Sequence, residues 1–152
     1  MRAMLERWIV VALWSLPLAS VALLSACGSS GTSTLVTVRS ATGSGPIDFS
    51  VENGTEVPIN NVYLAKSSQV GEAVGASNEA GSTAEAELWG PDLLGAALPT
   101  GERAAVPVAE PGEWDLRAVD RHGRYQQIAQ LKLGPGGRYI LRLTEGSWRV
   151  PK

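Results

Sequence analysis

The sequence has few of the side chains that usually carry catalysis or bind transition metals. Its 152 residues include one cysteine, one histidine and one phenylalanine. His122 lies between Arg121 and Gly123, with Arg124 next, and neighbouring positive charge disfavours a protonated imidazole. We therefore expect an exposed turn residue rather than an oriented catalytic base. Zinc usually takes four nitrogen or sulfur ligands, so no zinc site is expected, and the sequence does not predict an enzyme.

The single cysteine, Cys27, follows an apolar N-terminal segment. Arg2 and Arg7 precede a run of about 17 mostly apolar residues from Trp8 to Leu24, and small residues lie just before Cys27. This pattern is typical of an export signal. The stretch Leu-Ser-Ala-Cys at 24–27 resembles a bacterial lipobox, in which the cysteine is diacylated and becomes the first residue of the mature chain. The resemblance implies a signal peptide at residues 1–26 and an acylated Cys27 with a Gly/Ser spacer at 27–34.

Two other interpretations of the N-terminal segment remain open. An ordinary secretory signal cut near Ala26 would leave Cys27 unmodified, and an uncleaved spanning helix needs roughly 20 apolar residues, whereas this run contains Pro17. Under the lipoprotein interpretation no disulfide can form, and the spacer keeps the domain about 15 Å from its anchor. The expected location is the bacterial cell envelope, lipid-anchored and extracytoplasmic. Gly28 after the cysteine resembles outer-membrane sorting in enteric-type bacteria.

Charge is unevenly distributed along the chain. Residues 28–113 carry 3 basic and 11 acidic side chains, whereas residues 114–152 carry 8 basic and 3 acidic ones. A basic half is a feature of some nucleic-acid-binding proteins, but these basic residues are spread along predicted strands. We expect opposite charges from the two halves to meet within one domain, and no nucleic acid as a partner.

Residues 35–152 predict one all-β domain. About seven short segments alternate between apolar and polar residues, and turn residues separate them. This pattern is typical of a single antiparallel β-sandwich of immunoglobulin-like type. Alternation over 47–52, the Asn-Gly turn dipeptide at 53–54 and the apolar segment 62–65 predict a hairpin. Asp and Gly at the ends of 120–123 predict a type I turn.

The segment 67–87 lacks both periodicity and aromatic residues. We predict a long loop there, with a helical turn near 84–87, and loops of this length are commonly functional or mobile. Directly after it, Pro91 suits a first helical position and Gly95 suits a helix C-cap, which predicts a short helical turn.

Three motifs resemble a group of small secreted bacterial domains. They are Trp-Gly-Pro-Asp-Leu-Leu-Gly at 89–95, Leu-Pro-Thr-Gly-Glu at 98–102 and Trp-Asp-Leu-Arg-Ala-Val-Asp at 114–120. The group has roughly W-G-x-D-x-L-G, a Pro-Gly turn and aromatic-D-L-R-x-x-D-x-x-G, and the likeness covers about residues 47–144. This chain departs from it in the long 67–87 loop and in Trp114, where tyrosine is commoner. The resemblance implies a β-sandwich and no catalytic residue.

Three aspartates are candidate metal ligands. Calcium takes six to eight oxygen ligands, commonly from loops. Asp115 and Asp120, at the ends of one predicted strand, and Asp92, in a loop, are expected to converge at one edge of the sandwich if they bind calcium. Each also has a structural interpretation. Asp92 suits a first helical turn, Asp115 suits a cross-strand pair with an arginine, and Asp120 suits a turn cap. No other cofactor is expected.

The tryptophans are candidates for the core or for contact with a ligand. We expect Trp89 and Trp114 in the core, although Trp89 would also serve as a sugar-stacking contact, and Trp148 is a candidate exposed contact. Two functions follow. The first is a lipid-anchored, non-catalytic module that binds an envelope protein or component through a sheet edge, the 67–87 loop or the basic strands. The second is a calcium- or carbohydrate-binding module using the aspartates and tryptophans.

Overall fold

The computed structural model describes residues 31–76, 87–146 and 148–151. The signal peptide, Cys27 and spacer residues 28–30 lie outside the described residues, as do residues 84–86 of the expected helical turn. The described part of the chain contains seven strands, one helix over residues 67–76 and further helical residues at 87–89. The elements are β1 (Thr34–Arg39), β2 (Asp48–Asn53), β3 (Ile59–Lys66), α1 (Ser67–Ala76), β4 (Arg103–Ala105), β5 (Gly112–Asp120), β6 (Tyr125–Leu133) and β7 (Arg138–Leu143).

The strands form two sheets, which confirms the predicted β-sandwich. Sheet A has the order β1-β7-β2-β4 and sheet B the order β3-β5-β6. All pairs are antiparallel except β2 with β7, which run parallel. The order differs from the constant-type immunoglobulin sandwich, whose first, second, fifth and fourth strands share one sheet. The strand count and patterning were therefore predictable, whereas the pairing was not.

The main core lies between the two sheets because strand alternation turns every second side chain inward. Phe49 and Val51 of β2 are fully or almost fully buried, as are Leu116 and Ala118 of β5. The other buried members of this cluster are Ile59, Val62, Leu98, Val106, Trp114, Leu131, Leu133, Tyr139, Leu141 and Leu143. Full burial of each large apolar side chain contributes roughly 1.5–3 kcal/mol, so burial of this layer holds the sheets together without a disulfide.

The predicted hairpin over 47–65 is wrong. β2 belongs to sheet A and β3 to sheet B, so the segment between them is a corner that crosses the sandwich. The Asn53 side chain organises this corner. Its amide donates to the carbonyl oxygens of Val57 and Leu98, and its Oδ1 accepts from the backbone and hydroxyl of Thr55. Asn53 and Thr55 are both buried, so the Asn-Gly dipeptide marks a change of direction but joins different sheets.

The first ten residues of the predicted 67–87 loop form helix α1 instead. The helix packs on the outer face of sheet B, where Val70 is buried with Ala65 and Trp89 in a second small cluster. The Ser67 hydroxyl at its start donates to Asp115 at 2.6 Å. Residues 77–86 lie outside the described residues. Helix propensity is weak in this Gly- and Ser-containing segment, and the tertiary contacts with sheet B stabilise it.

The predicted helical turn at 91–95 is also wrong. Residues 92–94 are not helical, and the helical turn lies earlier, at 87–89. The chain instead runs beside β3: the Leu93 amide donates to Val62 at 2.8 Å, and Leu98 bridges to Ile59. Pairing with β3 satisfies backbone groups that the short helix would have satisfied internally.

Candidate binding surface

The structure does not bring the three candidate aspartates together. Asp120 is the last residue of β5, and Asp115 lies in the middle of the strand, five residues earlier, which corresponds to about 17 Å at the rise of a strand. Asp115 also faces the outer side of sheet B, because Trp114 and Leu116 on either side of it are in the main core. The expectation of convergence at one sandwich edge is therefore wrong.

Asp115 is a structural acid. It is buried, and its Oδ1 accepts the Ser67 hydroxyl at 2.6 Å and the Gln130 backbone amide at 3.0 Å. The Gln127 side chain lies 3.4 Å from its other oxygen. The predicted arginine partner is wrong, since neutral donors from α1 and β6 occupy the carboxylate. Asp115 thereby joins helix α1 to both strands of the β5–β6 pair.

Asp120 caps the turn between β5 and β6, as expected. Its Oδ1 accepts the amides of His122 at 2.8 Å and Arg124 at 2.9 Å, and its Oδ2 accepts the Arg124 guanidinium at 2.7 Å. Burial by itself would raise the pKa of Asp120, but these hydrogen bonds outweigh it and hold the pKa below its ordinary value. His122 is exposed in the same turn, as predicted, so nothing in the turn orients it as a base.

Asp92 holds the segment that covers β3. Its Oδ1 accepts the amides of Val62 at 2.9 Å and Leu94 at 3.1 Å, and its Oδ2 accepts the Asn61 side chain at 2.9 Å. The expected backbone contacts are thus present, but in a strand-covering segment rather than a first helical turn. Among the described residues no group of three or more His, Cys, Asp or Glu side chains is placed to hold a metal ion.

The tryptophans divide between interior and surface. Trp114 is in the main core and Trp89 is in the second cluster, and both are buried as expected. The burial of Trp89 argues against its alternative role as a sugar-stacking contact. The Arg117 guanidinium lies between Trp89 and Tyr125, at 5.4 and 4.2 Å from the ring centroids. Trp148 is only partly buried and packs against the edge of the main core.

Three of the four sheet edges carry features that hinder pairing with another chain. The residues from Asp92 to Leu98 cover β3, and β4 has only three residues, with Pro107 shortly after it. β6 pairs with Arg149 at its start, contains a bulge with Gln130 at a positive φ of 58°, and exposes Lys132. Bulges, lysines and short strands are common ways of protecting an edge.

The fourth edge, β1, is different. It pairs only with β7, and among the described residues no backbone hydrogen bond uses its other side. Three large apolar side chains of the described chain are exposed, and two of them, Val36 and Val38, are on this strand, 45% and 52% exposed. The register with β7 is regular from Thr34 to Thr37, and the irregularity between Thr37 and Arg39 lies at Val38, near the end of the strand. β1 is thus a β-branched edge with apolar side chains in solvent.

The outer face of sheet A beside β1 carries arginines with acidic partners. Glu52 of β2 accepts from Arg142 of β7 and Arg103 of β4, and Asp48 pairs with Arg138 at 2.6 Å. The hydrogen bonds from Arg103 and then Arg142 hold the pKa of Glu52 below its ordinary value. Acids and bases from the two halves of the chain therefore meet, as expected. Three arginines on two acids leave the face with excess positive charge.

A set of hydrogen bonds fixes the start of the described chain to one end of the sandwich. The Ser33 hydroxyl donates to the Gln126 side chain at 2.6 Å and accepts the Thr144 amide at 3.2 Å, while the Thr144 hydroxyl donates to the Gly31 carbonyl. Gln126 is 1% exposed. Residues 31–34 of the expected spacer are therefore attached to the fold, and β1 begins at Thr34.

Sequence reasoning missed both features. Polar and apolar residues alternate only weakly in β1, since Leu35 and Val36 are both apolar. In the structure Leu35 is partly buried against the core, whereas Val36 and Val38 are exposed. Nothing in the sequence shows that this strand is at an edge. The contacts of Ser33 with Gln126 join residues 93 positions apart. Gln126 gave no signal of this contact in the sequence, because β6 also contains Gln127, Gln130 and Lys132.

The fold and this surface define a class: a small two-sheet β-sandwich with one open edge strand. No family model, curated protein or solved structure matches the chain. No helix within the described ranges has the length and hydrophobicity required to span a membrane.

Proposed function

We propose that the protein is a lipid-anchored, non-catalytic accessory module of the bacterial cell envelope. It attaches to the membrane through Cys27 and binds an extended segment of a partner protein along β1. The observation that carries the binding role is the open edge of β1, with its two exposed valines. The lipobox-like sequence before Cys27 supports the anchor.

Addition of a strand explains how such a surface binds. The free N–H and C=O groups of an edge strand pair with an extended peptide, and side chains on alternate positions give specificity. Val36 lies opposite Ile140 in the register with β7, so a partner strand beside β1 would meet an apolar row. The neighbouring arginines favour a segment that also carries acidic residues, because complementary charge speeds encounter and selects partners.

The anchor is tested separately from the binding surface. Cells are grown with an alkyne-bearing fatty acid, and the purified full-length chain is examined for the label. We expect labelling of the natural chain, loss of the label in Cys27→Ser, and retention in Ser29→Ala, a matched variant two residues away. An unlabelled chain whose Cys27 thiol reacts with a maleimide would refute the lipid anchor.

The binding surface is tested by photo-crosslinking in the same cells. A photoreactive amino acid replaces Val38 or, as the matched control, Val150, which is 72% exposed but outside β1. We expect one discrete protein adduct from position 38 that is absent from position 150. Adding Val36→Lys should remove this adduct, whereas Ser68→Lys on helix α1 should not. Equal adducts from positions 38 and 150 would refute the assignment to β1.

A further inference from the structure

The chain enters the fold at a fixed place, which limits how the domain lies relative to its anchor. Only residues 28–30 separate Cys27 from Gly31, whose carbonyl is already held by Thr144. Four residue steps extend to at most about 14 Å. If Cys27 carries lipid, as the proposed function states, the end of the sandwich that contains Gly31 and Thr144 lies beside the bilayer.

The same end carries the turn between β5 and β6 and the segment 148–151. Tyr125, next to Gln126, exchanges two backbone hydrogen bonds of 2.8 Å with Arg149. The Arg124 guanidinium lies 5.2 Å from the centroid of the Trp148 ring. Val150, the third exposed apolar side chain, is 72% exposed. We define the anchor-proximal patch as Arg121, Arg124, Trp148, Arg149 and Val150.

The charges on this end are divided between its two sides. Three acids lie on the side of sheet A: Glu56 after β2, Glu102 before β4 and Glu145 after β7. The arginines of the patch lie on the side of sheet B. Asp120 is paired with Arg124 at 2.7 Å. Arg121 and Arg149 are exposed and have no ion-pair partner within the described part of the chain. The sheet-B side of this end is therefore basic, and it lies next to the point where the chain enters.

We propose that the anchor-proximal patch lies on the bilayer surface and binds anionic lipid headgroups. Tryptophan is enriched where protein meets the headgroup region, and an anionic membrane surface attracts basic side chains that lie close to it. Contact of the anchor-proximal patch with the bilayer orients the whole domain. β1 starts at the bilayer with Thr34 and extends about 17 Å away to Arg39, so its open edge faces the space beside the membrane.

The test uses the full lipidated chain in vesicles of phosphatidylcholine with about 30 mol % phosphatidylglycerol, a composition in the range where surface charge attracts basic residues. The photoreactive amino acid replaces Val150 or, as the matched control, Val38, and lipid adducts are measured by mass spectrometry. We expect at least about tenfold more lipid adduct from position 150. In vesicles of phosphatidylcholine alone the adduct at position 150 should decrease severalfold.

Two double variants test the role of charge. Arg121→Gln with Arg149→Gln should lower the adduct at position 150 severalfold, whereas Arg138→Gln with Arg142→Gln, on the outer face of sheet A, should leave it unchanged. Equal lipid adducts from positions 38 and 150, or equal effects of the two double variants, would overturn the proposal while leaving the lipid anchor intact. A chain without lipid on Cys27 would instead fail the earlier labelling experiment.

Discussion

Asp115 accepts the backbone amide of Gln130 at 3.0 Å across the β5–β6 pair, and Gln130 is the one described non-glycine residue with a positive φ, 58°. The register shifts here, between Trp114 and Leu116, so Gln130 is in a bulge of β6. A bulge leaves a backbone group without its ladder partner. The carboxylate of Asp115 supplies that partner and also anchors helix α1 through Ser67.

Removal of this carboxylate should destabilise the domain strongly. We expect Asp115→Ala to lower the free energy of unfolding by roughly 2–4 kcal/mol, because it leaves the Ser67 hydroxyl and the Gln130 amide without partners. Asp48→Ala is the control, since its carboxylate is half exposed and pairs only at the surface, and it should cost less than about 1 kcal/mol. Urea unfolding followed by tryptophan fluorescence measures both, and equal losses would contradict the role of Asp115.

Stability should decrease in acid because of Asp120 and Glu52. Both carboxyls have a folded-state pKa below the ordinary values of 3.8 and 4.5. Their stabilising contribution is therefore present above those values and is lost as the pH falls through the lower folded-state values. Asp120→Asn should weaken the dependence of the unfolding free energy on pH between about pH 5 and about pH 2. An unchanged pH profile in this variant would show that other acids control the transition.

Two glycines with similar backbone angles should respond differently to alanine. Gly101 and Gly136 have φ of 79° and 72°, but a Cβ on Gly101 meets nothing within 4 Å, whereas one on Gly136 collides with Thr42 and Ser44. Gly101→Ala should cost about 1 kcal/mol from backbone strain. Gly136→Ala should cost about 1–3 kcal/mol more from overpacking. Thermal unfolding measures the difference, and equal costs would mean that the segment at 42–44 moves aside freely.

Calcium should not stabilise the domain. Asp92, Asp115 and Asp120 each use their oxygens on protein donors and lie apart from one another. A ligand that binds only the folded state raises its stability. We therefore expect the melting temperature to shift by less than about 1 °C in excess calcium. A rise of several degrees that a chelator reverses and Asp92→Ala removes would reinstate a calcium site.

The sequence was sufficient for local features. Apolar alternation along β2 and β7, the capping aspartate of the 120–123 turn and the burial of Trp114 could all be predicted, because each depends on side chains a few residues apart. The positions of Asp115 and Val36 could not. Whether Asp115 meets an arginine or a bulge amide depends on which strand lies beside it, and whether Val36 is covered depends on strand order.

The sequence by itself determined the all-β class, the number of strands and the lipobox-like segment before Cys27, since periodicity and composition are local properties. Only the tertiary structure decided that β2 and β3 belong to different sheets, that the start of the 67–87 segment is helical and that β1 is an open edge. The physical reason is that strand pairing joins residues far apart in sequence, as in β1 with β7. The free energy of such pairing depends on the burial of both faces at once, which one strand's sequence does not encode.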